Sequence, residues 1–264
     1  MNLEVRKAGT AESTEPVRIT LGDLTATLFR GDCLTVLASF KSDSVEMIWT
    51  DPPYGHSNHV GDLNARLNDY REIAGSPIEN DGPLEMRAVV DGMLTEAARV
   101  LRPDCCCCCC CCCGGGGPRP TFAWVANRMD CSGLEFFHSI IWDKMNPGLG
   151  WRYRRQHEMI MVSHRKGGKL AWNDDYPAQP NVMRISKPRG DLHPNVKPVE
   201  LVQRFIQQHT AKAETVLDPF MGSGTTGVAC LRTGRNFIGI EKDPKHFATA
   251  VERLEREARQ GVLL

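Results

Sequence analysis

The chain has 264 residues, 41% of them hydrophobic and 24% charged, the balance of one large α/β domain in water. No apolar run approaches the roughly 20 residues of a membrane span. The first residues, with Glu4, Glu12 and Glu15, lack the basic and apolar regions of a secretion signal, so a cytoplasmic protein with no membrane partner is expected. Lys+Arg and Asp+Glu number 32 each, and this zero net charge by itself gives no support to a polyanionic partner.

Residues 1–16 read as a loose arm, and residues 17–29 as a hairpin turning near Gly22-Asp23. Gly31-Asp32-Cys33-Leu34 leads into a short helix, with Asp32 suited to a turn or a helix cap. The run 45–50 is a strand that delivers Asp51-Pro52-Pro53-Tyr54. Residues 55–83 are polar and have no steady period, which suits a long active-site loop. Met86, Val89, Val90, Met93, Leu94, Ala97, Ala98 and Leu101 then recur at helical spacing.

Nine of the twelve cysteines are consecutive, Cys105 to Cys113. Adjacent strand residues point to opposite faces, so neighbours in the run cannot converge on one ion. Free cysteine behaves as a small hydrophobe. The run therefore predicts a strand buried on both faces and no metal site. Cys33, Cys131 and Cys230 have no metal-like spacing.

A helix over 121–129 and strands over 136–142 and 158–163 follow. Residues 164–192 are rich in Gly, Pro, Asn and Asp and predict loops or a small recognition lobe. From residue 144 to 197 eleven Lys/Arg face four Asp/Glu, a local excess that suits phosphate contacts. The remaining pattern is a helix from Pro198, a strand over 215–217, a glycine loop, a helix from Thr225, a strand over 237–241 and a last helix over 244–259. Strands alternating with helices imply a mostly parallel sheet covered on both faces.

The loop Asp218-Pro219-Phe220-Met221-Gly222-Ser223-Gly224-Thr225-Thr226 lets backbone approach a ligand closely, and the helix behind it favours a ligand's negative end. Glu241 ends the next strand, where an acidic residue can accept ribose hydroxyls. Gly222 to Gly227 also spells the dinucleotide pattern G-x-G-x-x-G, but an Asp-Pro-Phe entry and the tetrapeptide at 51–54 are left unexplained by a nicotinamide or flavin site.

Asp51-Pro52-Pro53-Tyr54 and the loop 218–226 resemble the catalytic and cofactor motifs of the DNA amino-methyltransferases, in the permuted order of that family's β class. Trp142-Asp143-Lys144, the stretch Gly150 to Glu158 and His193 to Pro198 resemble further segments of the class, and the Cys-then-Gly tract resembles that of phage-encoded members. The resemblance implies a Rossmann-like, S-adenosylmethionine-dependent methyltransferase fold divided into a catalytic half (17–163), a recognition segment (164–192) and a cofactor half (193–264). It implies S-adenosyl-L-methionine as cofactor, double-stranded DNA as partner and, as is common in the class, a homodimer. Asp51, Pro52, Pro53 and Tyr54 would be catalytic. Asp32, Lys197, Asp218, Pro219, Phe220, Gly222, Ser223, Gly224, Thr225, Thr226 and Glu241 would hold the cofactor, and Lys144, Arg152, Arg154 and Arg155 would meet DNA.

An exocyclic base amine is a poor nucleophile because its lone pair is delocalised into the ring. The Asp51 carboxylate and the Pro52 carbonyl, held by two prolines, can accept both amine hydrogens and free that lone pair. Tyr54 offers a face for a base that has left the duplex. Aspartate at the first position favours adenine N6. Cytosine N4 remains an alternative, as does a silent nucleic-acid-binding module that keeps the fold.

Overall fold

The computed structural model describes residues 15–53, 83–111, 122–147, 154, 156–187 and 197–261. A hairpin, β1 (Val17–Leu21) and β2 (Leu24–Arg30), turns at Gly22, whose φ of 60° suits a residue without a side chain. Helix α1 (Cys33–Ala38) follows, then β3 (Val45–Thr50), α2 (Pro83–Val100), β4 (Leu101–Cys111), α3 (Phe122–Cys131), β5 (Leu134–Asp143) and β6 (His157–Arg165). The chain continues through β7 (Val182–Arg184), α4 (Val199–His209), β8 (Thr215–Asp218), α5 (Thr225–Thr233), β9 (Asn236–Glu241) and α6 (Pro244–Gly261).

The strands form one sheet in the order β1-β2-β9-β8-β3-β4-β6-β5-β7. From β2 across β9, β8 and β3 to β4 every pairing is parallel. Strands β4, β6 and β5 are antiparallel, and β7 adds a parallel edge to β5. The described part of 164–192 is thus not all loop: Val182–Arg184 extends the sheet, and Trp142 Nε1 donates to the Ile185 carbonyl (2.8 Å) just beyond it.

Two apolar layers cover the sheet. One gathers Leu37, Val90, Met93, Leu94 and Met129 from α1, α2 and α3. The other gathers Leu201, Val202, Phe205, Val228 and Leu254 from α4, α5 and α6. The helical period of α4 produces its contribution, since Leu201, Val202, Phe205 and Ile206 all fall on the buried face.

The cysteine run forms the expected two-sided strand as far as it is described. Cys107 and Cys109 enter the first layer, and Cys106, Cys108 and Cys110 the second. Cys112 and Cys113 lie outside the described residues. The strand starts earlier than predicted, at Leu101, because a bulge absorbs Pro103. The register with β3 jumps from Val45↔Leu101 to Met47↔Cys106, and Asp104 takes a positive φ of 59°.

At Gly224 the need for glycine has two independent causes. Its φ is 80°, and an added Cβ would stand 2.8 Å from Leu254 Cδ1 and 3.2 Å from the Ala250 Cα. Gly224→Ala should therefore lower stability by about 2 kcal/mol. In thermal unfolding that is a drop of roughly 4–8 °C; an unchanged midpoint would contradict the tight α5–α6 contact.

Candidate active site

Strands β2, β9, β8 and β3 are adjacent and parallel, so their carboxyl ends share one edge of the sheet. That edge receives Gly31-Asp32 after β2, Glu241 at the end of β9, Asp218 at the end of β8 and Asp51 after β3. Between β8 and β3 the winding reverses. The connection after β3 runs through α2 on one face, and that after β8 through α5 on the other. Such a reversal opens a crevice where ligands of α/β sheets bind.

Asp51 stands at this crevice in a chain of charges. Lys197 Nζ donates to Asp51 Oδ2 at 2.6 Å and lies 3.2 Å from Glu158 Oε2. Lys144 Nζ reaches Glu158 Oε1 at 3.3 Å. The Lys197–Glu158 contact is an ion pair within reach of hydrogen bonding. Burial pushes the Asp51 carboxyl up to about 6; Lys197 pulls it down and Glu158 pushes it up further. Burial also pushes Glu158 up, but the ammonium groups of Lys197 and Lys144 outweigh it and hold Glu158 below its usual range.

The loop after β8 is organised by its own first residue. Asp218 Oδ1 accepts from the Phe220 amide (3.0 Å) and Oδ2 from Thr226 Oγ1 (2.5 Å). Burial pushes Asp218 up to about 7. Gly222 (φ 51°) and Gly224 turn the chain, and the Met221 amide donates to the Ile240 carbonyl (3.0 Å), anchoring the loop on β9. Arg253 Nη1 donates to the Ser223 carbonyl (2.7 Å) and hydroxyl (2.8 Å). Glu241 accepts from the Gly222 amide (2.9 Å) through Oε2 and from the Asp243 amide (2.8 Å) through Oε1. Asp32 caps α1, its Oδ1 accepting from the amides of Leu34 and Thr35, both at 3.1 Å.

These residues fit a nucleoside that carries an amino-acid tail. Helix α5 begins at Gly224 with no side chain capping it, which leaves an amide-lined end for a carboxylate. Among the described residues, a Cβ at Gly222 would meet nothing within 4 Å, which leaves the loop's outer side for a ligand. Each oxygen of Glu241 has taken one amide and retains capacity for a hydroxyl.

The sequence-predicted residues do not all gather equally. Asp51, Lys197, Asp218, the glycine loop, Asp32 and Glu241 share the one edge. Lys197, expected beside the cofactor, donates to Asp51 and pairs with Glu158 at that edge. Lys144, expected on DNA, is largely buried against Glu158. Arg154 is exposed and donates to the Pro147 carbonyl at 3.1 Å. Tyr54, Arg152 and Arg155 lie outside the described residues. Glu158 was not among the candidates. The signal that could have found it is that it is the single Asp/Glu from Lys144 to Lys169, among seven Lys/Arg.

The family model described as DNA methylase, covering N6 and N4 methyltransferases, matches residues 45–252. The chain belongs to this family. Its relatives include the type II methyltransferase M2.DpnII of Streptococcus pneumoniae, 29% identical over 87% of this chain and 90% of that protein. They also include M.HinfI of Haemophilus influenzae, 25% identical over 89% of this chain and 69% of that protein. Among solved structures, the complex of M1.HpyAVI with SAM has a TM-score of 0.62 and 26% identity, covering 86% of this chain and 98% of that one. The cytosine-N4-specific PvuII DNA methyltransferase has a TM-score of 0.63 at 20% identity, covering 90% and 93%, and shares the fold. As a DNA methylase the chain carries the Rossmann-like methyltransferase fold that its motifs imply. Among the described residues no helix is long and apolar enough to cross a membrane.

The electrostatics of the Asp51 niche can be tested without substrate. A carboxyl whose value is raised by folding binds its proton more tightly folded than unfolded. Its ionisation therefore removes stability as pH rises from the unfolded 3.8 to the folded value of about 6. Lys197→Met removes the compensating cation and should raise that folded value. The variant's loss of stability relative to the parent should be larger at pH 8 than at pH 5, by on the order of 1–3 kcal/mol. Equal losses at both pH values, in urea titrations, would show that Lys197 does not compensate Asp51.

Proposed function

We propose that this DNA methylase transfers the methyl group of S-adenosyl-L-methionine to the exocyclic N6 of an adenine extruded from double-stranded DNA, with Asp51, Pro52, Pro53 and Tyr54 as its catalytic segment. The observation that carries this reading is the position of Asp51, across the β8/β3 reversal from the glycine loop, with its carboxylate fixed by Lys197.

S-adenosylmethionine, when bound, supplies an electrophilic methyl on a sulfonium. The chain's own residues then have three tasks. Asp51 and the Pro52 carbonyl accept the two amine hydrogens, which concentrates the nitrogen lone pair. Lys197 orients the Asp51 carboxylate and keeps it ionised, a positioning role distinct from the cofactor contact the resemblance suggests. The proton that the methylated amine must lose passes to Asp51, whose value near 6 suits a group that accepts a proton and returns it to water near neutrality. Catalysis is otherwise positioning and electrostatics.

The cofactor role is assigned to Asp32 and Glu241, beside the nucleoside part, and to Asp218, Pro219, Phe220, Gly222, Ser223, Gly224, Thr225 and Thr226, beside the amino-acid tail. Arg152, Arg154 and Arg155 are assigned to phosphates or guanine edges. Lys144 supports Glu158 and through it Lys197. Adenine is favoured over cytosine by Asp51 itself, because the cytosine-N4 enzymes of the class more often carry serine there.

Incubation with unmethylated DNA and S-adenosylmethionine, digestion to nucleosides and mass analysis should yield N6-methyladenine. N4-methylcytosine would overturn the choice of base, and no methylated nucleoside would favour the silent module. Asp51→Ala should cut turnover by on the order of 100-fold or more while cofactor affinity stays within a few-fold. Near-parental turnover would sink its assigned role. The rate should also fall as pH drops below about 6, because protonation removes the acceptor; a rate flat down to pH 5 would exclude an ionised Asp51.

A further inference from the structure

The methyl-transfer site makes no use of the face of β4 that turns towards α4. Alternation sends Cys106 and Cys108 to that face, and α4 ends over them at His209. The two sulfurs and a ring nitrogen of His209 all lie within 4.8 Å of one another, and all three residues are buried. Adjacent cysteines diverge, as the sequence argument requires, but residues two apart on a strand share a face and a third ligand comes from another element.

The imidazole is already set up as a ligand. His209 Nδ1 lies 2.7 Å from the Ala171 carbonyl, which can only accept, so Nδ1 carries a proton and Nε2 is the nitrogen left for a metal. A metal-bound histidine almost always donates its other N–H in this way. Trp172, edge-on at 5.6 Å, and Phe205, stacked at 6.3 Å, hold the ring's plane.

We propose that Cys106, Cys108 and His209 form a buried binding site for one zinc ion. Two thiolates and one neutral imidazole are soft to borderline donors of the kind zinc selects, whereas a hard ion such as magnesium would reject them. Charge selects a divalent ion. Two thiols release two protons to solvent, two positive charges enter, and the site stays neutral in a region where an unbalanced charge is costly. Zinc–sulfur bonds of about 2.3 Å at a tetrahedral angle place sulfurs about 3.8 Å apart, so the side chains need close by no more than about an ångström. A cavity of about 140 Å³ lined by His209, Phe205, Val162 and Trp172 adjoins the site. It offers an entry path to the imidazole side of the site.

Zinc here would join β4 to the end of α4. Those two elements flank the Asp51–Lys197 pair, since Cys110 lies close enough to feel the charges of both and α4 starts just after Lys197. The site's expected role is structural: it fixes the helix that follows Lys197.

The test uses the full chain without a histidine tag, purified under reductant, loaded with zinc and dialysed. Elemental analysis should give about one zinc per chain. X-ray absorption at the zinc edge should show two sulfurs at about 2.3 Å and one imidazole nitrogen at about 2.0–2.1 Å. Cys106→Ala/Cys108→Ala should retain less than about a tenth of the metal, whereas Cys107→Ala/Cys109→Ala, on the opposite face, should keep it. Absence of zinc from the dialysed parent, a shell of four sulfurs, or equal zinc in the two variants would overturn the proposal. The absorption measurement on the parent does not depend on either variant folding.

Discussion

One ion pair joins parts of the chain that are far apart in sequence and sets the demands on the rest. Asp51 and Lys197 are 146 positions apart, yet Nζ and Oδ2 meet at 2.6 Å. A carboxylate this close to the interior would otherwise keep its proton. The ammonium holds it near the boundary of ionisation, where it can accept from an amine and still release a proton to water. Glu158 and Lys144 extend the pair into an alternating chain, so that no charge in it stands alone. The arrangement stabilises little by itself, because desolvation offsets most of the attraction. Its value lies in fixing a carboxylate's position and charge.

The sheet is what makes that meeting possible. Strand β3 delivers Asp51 and β8 delivers Asp218 side by side, and the winding reverses between them. Burial raises the cost of ionising both carboxyls, and the charge of Asp51 raises that of Asp218 further. They are separated in function by their partners. Asp218 accepts from an amide and a hydroxyl and so shapes its own loop, whereas Asp51 faces an ammonium. One is tied down, the other poised.

Much of this was legible in the sequence, for reasons that differ by element. Helices α2, α4 and α6 announce themselves because periodicity reflects local geometry and each buries one coherent face, and strand β3 because its apolar run is buried on both faces. The two motifs are legible because turning tightly at a strand's end needs Pro or Gly, and such residues punctuate a sequence clearly. Partnerships between distant elements were not legible. Lys197 carries the right charge for a cofactor carboxylate, and nothing local distinguishes that use from pairing with Asp51. Strand β7 was hidden because three residues at a sheet edge, only Met183 of them buried, leave no alternation to read. The convergence of Cys106, Cys108 and His209 was hidden for the same reason, since spacing within the run says nothing about what α4 lays over it.

The cysteine strand shows how tolerant, and how constrained, a central strand is. Cysteine is small and apolar, so it can occupy every position of a strand buried on both faces, but five such residues in a row leave space that aliphatic side chains would fill. Interiors tolerate volume changes only when neighbours compensate. Here they do so on both sides. Trp49, Trp142 and Phe205 share the layer of Cys106, Cys108 and Cys110, with Trp49 and Phe205 in ring contact at 4.9 Å. Met86, Met93, Met129 and Met161 share the layer of Cys107 and Cys109, and flexible thioethers suit an irregular surface. The narrow strand and its bulky neighbours are therefore one solution, and a bulkier β4 would have to push against residues that also set the position of α4 and of Lys197 before it. Packing at the middle of the sheet and charge at its edge are mechanically connected.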